Sequence, residues 1–281
     1  MKYQHICEGR FIERPNRFIA IVEIEGACEK VHVMNTGRCK ELLTPNASVY
    51  VNKNDNPSRK TKYSLISVYK GDTLINMDSQ VPNRVVYDGI MNGQVELLKN
   101  VTLLQREKTY KDSRFDMYFE QVGKQENPVK QERKEEQEEE QREGQKNSQS
   151  QENQASQGCL GNIDEVVGQD TIGINKGYIE VKGVTLEENG VALFPDAPTV
   201  RGVKHIHGLI DAVNNGYMGV LILLIQMEGV TCFKPNRVTD PKLSHALTEA
   251  KEAGVIILAY DSVVTRDEIV IGKEVPVILY S

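Results

Sequence analysis

The sequence predicts an α/β protein, α+β over its whole length, in which a small β-barrel precedes a larger domain of alternating strands and helices. The N-terminal part, up to about Asp78, contains short apolar segments separated by glycine and proline, a pattern typical of small barrels. After it, apolar strands alternate with segments of helical periodicity, which favours an α/β domain. The predicted boundaries are 1–81 for the barrel and 82–281 for the second domain.

Four strands of the barrel are predicted from runs of β-branched and aromatic residues bounded by turn residues. They cover residues 17–24, 30–34, 48–52 and 63–69, and the turn residues include Gly26, Gly37, Pro45 and Pro57. Asn35-Thr36-Gly37-Arg38 is interpreted first as a turn, because glycine adopts positive φ without strain. A functional loop is the alternative for this segment.

Helix signals divide the second domain. Asn83 is a good N-cap for a helix over 83–91 that ends at Asn92-Gly93. A second helix is predicted over about 199–214. Asp240-Pro241 opens a third helix as N-cap and first-turn proline, and Gly254 closes it. The predicted strands between and after these helices are the acidic segments around Asp116 and Glu180, the apolar run 219–225, and 255–260.

A low-complexity insertion interrupts the second domain at about 121–174. Its centre, 124–152, is rich in Gln, Glu and Lys, has Val129 as its only aliphatic residue and contains no aromatic residue. Such a segment cannot bury enough apolar surface to fold alone. It contains nine acidic residues and six lysines or arginines, a net charge of −3. We expect a disordered or loosely helical outgrowth of a hairpin loop, where added length costs little closure entropy.

Charge, hydropathy and cysteine content restrict the function class. The formal net charge is −6, so binding of nucleic acid requires a local basic surface. The longest apolar run, 219–225, is far shorter than the roughly 20 residues that span a bilayer, and the N-terminus lacks the apolar core of a signal peptide. The five cysteines are scattered, which argues against a zinc site and a disulfide scaffold. We therefore expect a cytoplasmic protein without membrane contact.

Asp116, Glu180 and Lys182 are the candidate catalytic residues. Side chains two apart on a strand leave the same face, so Glu180 and Lys182 are predicted to point together while Ile179 and Val181 point into the protein. If Asp116 lies on a neighbouring strand, the two carboxylates suit Mg²⁺ or Mn²⁺, and the ammonium can orient the attacking water or offset charge on a phosphate. The alternative is that Glu180 and Lys182 form the solvated side of a half-buried strand.

Two basic groups are candidate nucleic-acid contacts. On the second helix, Arg201, Lys204 and His205 occupy positions i, i+3 and i+4 and therefore share one face. Cations bind phosphates, and an aromatic ring can stack on a base. For the helix group, the alternative is a solvated helix face. For the second group, in the barrel, the alternative is a basic surface loop with its tyrosine half buried. The barrel candidates are Arg59, Lys60, Lys62 and Tyr63, with Arg14, Arg17 and Arg38 as an extension of the same surface.

Eight segments together make the chain resemble the sugar fermentation stimulation protein A (SfsA) family. The resemblance covers everything except the insertion, and it departs from the family pattern at Met34, Pro198, Val200 and His207. The segments are Arg14-Pro15-Asn16-Arg17-Phe18, Asn35-Thr36-Gly37-Arg38, Asn56-Pro57-Ser58-Arg59-Lys60, Ser113-Arg114-Phe115-Asp116, Tyr178-Ile179-Glu180-Val181-Lys182-Gly183-Val184-Thr185-Leu186, Phe194-Pro195-Asp196-Ala197, Arg201-Gly202-Val203-Lys204-His205 and Phe233-Lys234-Pro235-Asn236.

The resemblance implies a DNA-binding protein with an N-terminal OB-like β-barrel and a C-terminal domain similar to the PD-(D/E)xK nucleases. Asp116, Glu180 and Lys182 coincide with the nuclease motif of that family. Asp88 matches a helical acid of the family, where glutamate is more usual, and is thereby implied as a further metal ligand.

We therefore predict a cytoplasmic DNA-binding protein that hydrolyses phosphodiester bonds with Mg²⁺ or Mn²⁺. DNA is the expected partner and RNA the alternative. The rival interpretation is a non-catalytic DNA-binding regulator, of sugar or maltose metabolism, that retains a nuclease-like fold. A third is an interaction protein whose acidic insertion recruits partners. The sequence leaves open the strandedness of the substrate, endo- or exonucleolytic attack, and the choice between monomer and homodimer.

Overall fold

The computed structural model describes residues 1–35, 37–56, 58–124 and 172–280. Most of the predicted insertion at 121–174 lies outside these residues. Met1–Gln121 and Asn175–Ser281 together form one compact unit, and only two strand ends of the remaining stretch, Val122–Ile174, are described. In the described part of the chain, no helix is long and apolar enough to cross a membrane.

The N-terminal part is a closed barrel of five strands. These are β1 (Ile6–Asn16), β2 (Ile19–Ile24), β3 (Ala27–Val33), β4 (Ser48–Lys53) and β5 (Tyr63–Lys70), and β6 (Thr73–Asn76) pairs with β5 as an additional strand. The strand order β3-β2-β1-β4-β5 closes through a parallel pairing of β3 with β5. The small barrel predicted from the sequence is confirmed.

Alternating burial explains the barrel strands, because one face of each strand fills the core. In β2, Ala20 and Val22 are completely buried while Glu23 is exposed. The predicted first strand, 17–24, is wrong at its start. Asn16 Oδ1 accepts hydrogen bonds from the amides of Phe18 (2.9 Å) and Ile19 (3.1 Å), so residues 17 and 18 form the turn between β1 and β2.

A mixed six-stranded sheet forms the second domain. Its strands are β7 (Val101–Tyr110), β8 (Ser113–Lys124), β9 (Ile172–Val184), β12 (Met218–Ile225), β14 (Ile256–Val264) and β15 (Ile269–Glu274). They lie in the order β15-β14-β12-β9-β8-β7, with β12 parallel to both β9 and β14. A separate three-stranded sheet contains β10 (Leu186–Glu188), β11 (Val191–Phe194) and β13 (Cys232–Pro235).

Among the described residues, three helices cover the two faces of the large sheet. They are α1 (Pro82–Met91), α2 (Val200–Asn214) and α3 (Pro241–Glu252). Because both faces of β12 are covered, its sequence is an unbroken apolar run. The predicted α/β domain is confirmed. Alternate residues of β12 divide between two cores, with Val220, Ile222 and Leu224 packed on the α1 side and Leu221, Leu223 and Ile225 on the α2 and α3 side.

The helix ends agree with the sequence at α3 and differ at α1. Asp240 caps α3, since its Oδ1 accepts a hydrogen bond from the amide of Leu243 at 3.0 Å. Asn83 is not the N-cap of α1, because the helix already begins at Pro82. The side chain of Asn83 instead donates to the Asp116 carboxylate, which gives this residue a place in the candidate site.

Buried polar contacts join the barrel to the second domain where β9 ends. The side-chain amide of Gln226 donates to the carbonyl oxygen of Asn76 at 3.1 Å, to its side-chain oxygen at 2.9 Å, and to the carbonyl of Asp78 at 3.1 Å. The backbone amide of Gln226 donates to the carbonyl of Val184, the last residue of β9. The end of the barrel therefore lies beside the strand that carries Glu180 and Lys182.

Candidate metal and nucleic-acid site

The three predicted catalytic residues come together because β8 and β9 are neighbours in the sheet. Asp116 lies on β8, and its Oδ2 accepts a hydrogen bond from the backbone amide of Val181 on β9 at 2.8 Å. Its Oδ1 accepts from the side-chain amide of Asn83 on α1 at 2.7 Å. Glu180 and Lys182 flank Val181, so the Asp116 carboxylate is fixed between them and α1.

Glu180 is a buried carboxylate, only 1% exposed. Its Oε1 accepts from the Lys182 ammonium at 2.5 Å and from Nδ1 of His205 on α2. Its Oε2 has no hydrogen-bond partner among the described residues. The alternative interpretation of Glu180 as part of a solvated strand face is therefore wrong, because α2 covers this face of β9.

Lys182 and His205 differ in how they hold Glu180. The Lys182 side chain remains 21% exposed and connects the buried acid to solvent. Arg201 Nε faces Nε2 of His205 at 3.5 Å. A donor on that side requires Nε2 to accept, so Nδ1 carries the proton that is donated to Glu180. His205 is therefore an oriented hydrogen-bond donor to Glu180.

The two carboxylates bind protons with different strength. Burial and the neighbouring charge of Glu180 raise the pKa of Asp116 above its ordinary value. Burial alone would also raise the pKa of Glu180, but the hydrogen bond from His205 and the charge and hydrogen bond of Lys182 outweigh it and hold that pKa below its ordinary value. Glu180 is therefore ionised at neutral pH, and its repulsion of Asp116 is of the kind that a nearby cation relieves.

The residues present fit a hard divalent cation. Asp116 and Glu180 supply carboxylate oxygens, and Glu180 Oε2 is a buried oxygen without a described partner. Mg²⁺ is usually held by one or two carboxylates and completes its shell with water and phosphate, and Mn²⁺ takes the same ligands. Both ions can therefore use this pair of residues.

Asp88 lies apart from this pair in the structure. It forms an ion pair with Arg84 at 3.8 Å on an exposed part of α1. Within the described ranges, no group of three or more His, Cys, Asp or Glu side chains is arranged to hold a metal. The α1 residue that contacts Asp116 is Asn83, so the structure does not bring Asp88 together with the other two acids.

The three basic residues predicted to share a surface of α2 differ in their exposure to solvent. His205 is only 8% exposed and is directed at Glu180, so its placement on a phosphate-binding surface is wrong. Lys204 is exposed and pairs with Asp112 at 2.9 Å. Arg201 and Lys204 remain on the solvent side of the helix.

Two of the predicted barrel contacts, Tyr63 and Arg14, have structural roles in the fold. The ring of Tyr63 is only 5% exposed, so its interpretation as a base-stacking surface is wrong. The terminal nitrogens of Arg14 are fully occupied by backbone carbonyls, which makes this residue a tie between the β1–β2 turn and the segment after β3. These carbonyls belong to Gly37 (2.8 Å), Arg38 (2.7 Å), Arg17 (2.7 Å) and Asn35 (2.7 Å).

The other five cations predicted as barrel contacts are exposed. Lys62 lies 3.9 Å from Glu29, and Arg59 donates to the side-chain oxygen of Asn54 at 2.9 Å. Within the part of the chain that the structure describes, the three others form no ion pair. These are Arg17, Arg38 and Lys60.

Sequence reasoning misses the roles of Asn83 and His205 in the site. Asn83 looks like a helix cap because amides are favoured at that position, whereas Pro82 makes the first turn one residue earlier. The spacing of Arg201, Lys204 and His205 indicates one helix face but not how far it rotates toward the sheet. The sequence carries one signal for the burial of His205: it is followed directly by the apolar Ile206, which is part of the core.

Comparisons with known proteins agree with this architecture. Residues 12–77 match the SfsA N-terminal OB domain, and residues 129–268 match the sugar fermentation stimulation protein RE domain. The chain is 47% identical over 279 residues to a sugar fermentation stimulation protein homolog of Clostridium beijerinckii, covering 99% of this chain and 100% of that protein. It is 44% identical to the homolog of Alkaliphilus oremlandii, over 99% and 98% of the two chains.

A solved structure shares the fold. Pyrococcus furiosus SfsA, in complex with Ca²⁺, superposes with a TM-score of 0.73 at 24% identity, covering 99% of this chain and 97% of that chain. The predicted fold class, an OB-like barrel followed by a mixed α/β domain, is thereby confirmed.

Proposed function

This chain belongs to the sugar fermentation stimulation protein (SfsA) family, and on that premise we propose that it is a cytoplasmic DNA-binding protein that hydrolyses phosphodiester bonds with Mg²⁺ or Mn²⁺. The observation that carries the proposal is the unpartnered buried oxygen of Glu180. Its carboxylate lies close enough to Asp116 to raise that residue's pKa, and the Lys182 ammonium is within hydrogen-bond distance. A buried oxygen without a partner is costly unless a ligand uses it.

The side chains divide the work of the proposed reaction. Asn83 and the Val181 amide orient Asp116, and His205 orients Glu180 by occupying Oε1. Oε2 is thereby left for a ligand. When bound, a divalent cation lowers the pKa of water and withdraws charge from a phosphate.

Lys182 supplies the positive charge of the chain itself. Its ammonium is partly exposed and lies at the boundary between the buried acid and solvent. In this position it offsets the negative charge that develops on the phosphate oxygens in the transition state. Arg201 and Lys204 of α2 and the exposed cations of the barrel face solvent, and they are the proposed contacts to the phosphates of the nucleic acid.

The test is cleavage of labelled single- and double-stranded DNA and RNA by the purified full chain with Mg²⁺ or Mn²⁺. Ca²⁺ is added as a third ion because the Pyrococcus furiosus chain was solved with it. We expect cleavage that EDTA abolishes and that falls about 10²-fold or more in Asp116→Asn and Glu180→Gln, the size of loss typical when one electrostatic group of an active site is removed.

A matched control is available on the same hairpin. Glu107→Gln on β7 removes one negative charge from an exposed ion pair with Arg114 and should leave cleavage unchanged. Thermal melting of every variant separates loss of activity from loss of fold. Cleavage that survives in both site variants would overturn the assignment of these residues.

A non-catalytic DNA-binding regulator of sugar metabolism is the second candidate function. The observation that favours it is that Glu180 Oε1 is already hydrogen-bonded by Lys182 and His205. This candidate predicts that wild type, Asp116→Asn and Glu180→Gln bind nucleic acid equally well and that all substrates stay intact with every metal.

A further inference from the structure

We infer that Phe18 and Arg17, at the β1–β2 turn, form a stacking platform for a single-stranded nucleic acid that leads toward the acidic site. The inference rests on the proposed function and deepens it, because it names the substrate class. It replaces the prediction for Tyr63, whose ring is buried.

Phe18 is exposed on a fixed piece of backbone. Its side chain is 46% exposed, and in the described part of the barrel it is the only aromatic residue among the exposed large apolar residues. Its amide donates to Asn16 Oδ1 at 2.9 Å, and its carbonyl accepts from the amide of Val33 at 2.8 Å. A ring held by such a turn loses little conformational freedom on binding, which favours affinity.

The surroundings of Phe18 are positively charged. The Arg17 guanidinium lies over the Phe18 ring, 5.0 Å from its centre, so a cation stands beside the surface on which a base would stack. Arg14 holds the backbone carbonyls of Arg17 and Arg38 at 2.7 Å each, which brings these two segments together. Neither Arg17 nor Arg38 forms an ion pair within the described residues, so both charges are available to phosphates.

A second aromatic surface of the barrel has the opposite charge. The rings of Tyr50 and Tyr69 lie 6.0 Å apart, and they line a cavity of about 330 Å³ in which three glutamates, Glu8, Glu23 and Glu25, outnumber the one arginine, Arg10. Three carboxylates repel a phosphate backbone. The contrast selects the Phe18 turn as the surface that suits nucleic acid.

Packing connects the Phe18 turn to the catalytic strand. Arg14 also holds the carbonyls of Asn35 and Gly37. Gly37 lies against the second domain so closely that a Cβ on it would be 1.9 Å from Asp196 Oδ2. Asn35 and Asp196 then line a cavity of about 100 Å³ together with Gly183, the residue that follows Lys182. Packing therefore links the Phe18 turn to the segment that directly follows Lys182.

A single strand fits this arrangement better than a duplex. The faces of paired bases are already stacked on their neighbours, whereas unpaired bases are free to stack on an aromatic ring. The chemistry is shared by single-stranded DNA and RNA, which the experiment distinguishes.

The test uses the absence of tryptophan from the chain. In the full-length protein, Phe18→Trp introduces one fluorophore, and Val263→Trp on β14, 38% exposed, is the matched control. Both are titrated in EDTA, so that no cleavage occurs, with oligothymidylate, oligouridylate and a DNA duplex of equal length. We expect saturable quenching of the Phe18→Trp variant by one or both single strands, weaker quenching by the duplex, and no quenching of the Val263→Trp variant.

Binding of the same probes to variants without the fluorophore completes the test. By fluorescence anisotropy of the labelled oligonucleotides, Phe18→Ala should weaken single-strand binding about tenfold, which is the size of one lost stacking contact, and Phe18→Tyr should restore it. Binding without quenching in the Phe18→Trp variant, or unchanged affinity in Phe18→Ala, would overturn the inference. Because the readout needs no cleavage, its failure is distinct from failure of the proposed nuclease.

Discussion

At the scale of single residues, the donors around Glu180 decide which of its oxygens is free. Lys182 and His205 both bind Oε1, and this leaves Oε2 without a partner in the described part of the chain. A hydrogen-bond donor that orients a carboxylate in this way changes the metal affinity of that carboxylate without contacting the metal. His205 is therefore a positioning residue in the proposed site.

We expect His205→Ala to weaken Mn²⁺ binding about tenfold, because Glu180 is no longer held in one orientation. His205→Asn, whose side-chain amide can replace the Nδ1 donor, should restore most of the affinity. Isothermal titration of Mn²⁺ into the purified protein measures both. A variant that melts at lower temperature but binds Mn²⁺ as tightly as wild type would contradict the positioning role and leave His205 as a packing residue.

The residue scale also marks what the sequence can predict. Strand alternation correctly places Glu180 and Lys182 on one strand, and the structure brings Asp116 beside them. The burial of His205 depends on how α2 rotates against the sheet, which the spacing of its basic residues does not determine. The occupation of Arg14 by four carbonyls depends on a loop conformation that no local pattern encodes.

At the scale of elements, one carboxylate holds two helices in place. Asp240 Oδ1 caps α3 through the amide of Leu243 at 3.0 Å, and its Oδ2 accepts from the amide of Thr199, the N-cap of α2, at 2.9 Å. Thr199 in turn accepts from the amide of Gly202 at 3.0 Å. The start of α2, and with it the position of His205, is therefore coupled to the start of α3.

We expect Asp240→Ala to lower the free energy of unfolding more than Thr199→Ala. Loss of the threonine cap should cost about 1 kcal/mol, and loss of the aspartate about 2 kcal/mol, since it removes two hydrogen bonds at a buried position. Thr199→Ser retains the acceptor and serves as the control. Urea unfolding followed by circular dichroism gives the three values, and equal losses in the two alanine variants would contradict the shared cap.

Two of the strands that the sequence does not predict, β1 and β7, have almost no buried face. In β1 only Phe11 is buried, and in the edge strand β7 no residue is, so neither strand shows clear alternation. By contrast, β12 is buried on both faces and its apolar run is unmistakable. Hydrophobic periodicity reports burial and not strand pairing. This explains why the sequence predicts β12 but not β1 and β7.

At the scale of the whole molecule, contacts between the barrel and the second domain include a partly buried ion pair. Lys70 of β5 lies 2.7 Å from a side-chain oxygen of Glu187 on β10, and the other oxygen accepts from the amide of Gly190 at 2.5 Å. Burial opposes ionisation of Glu187, but these contacts outweigh it and lower its pKa below the ordinary value of 4.5.

This pair should make stability depend on pH. Because the folded pKa of Glu187 is depressed, the unfolded chain binds more protons in acid, so the stabilisation is present above the ordinary pKa and is lost as pH falls through the folded pKa. We expect Glu187→Gln to cost about 1 kcal/mol at neutral pH and to melt like wild type once pH is below the folded pKa. Melting temperatures across this interval measure the effect, and a constant difference at all pH values would contradict it.

The pairing of β8 with β9 makes the candidate site bipartite. These strands are neighbours in the sheet, yet one lies before residues 125–171 and the other after them. A chain cut within that interval yields one fragment with Asn83 and Asp116 and another with Glu180, Lys182 and His205. Neither fragment carries both acids. The site is thus suited to split-protein complementation, in which reunion of the two fragments across one strand pair restores the constellation.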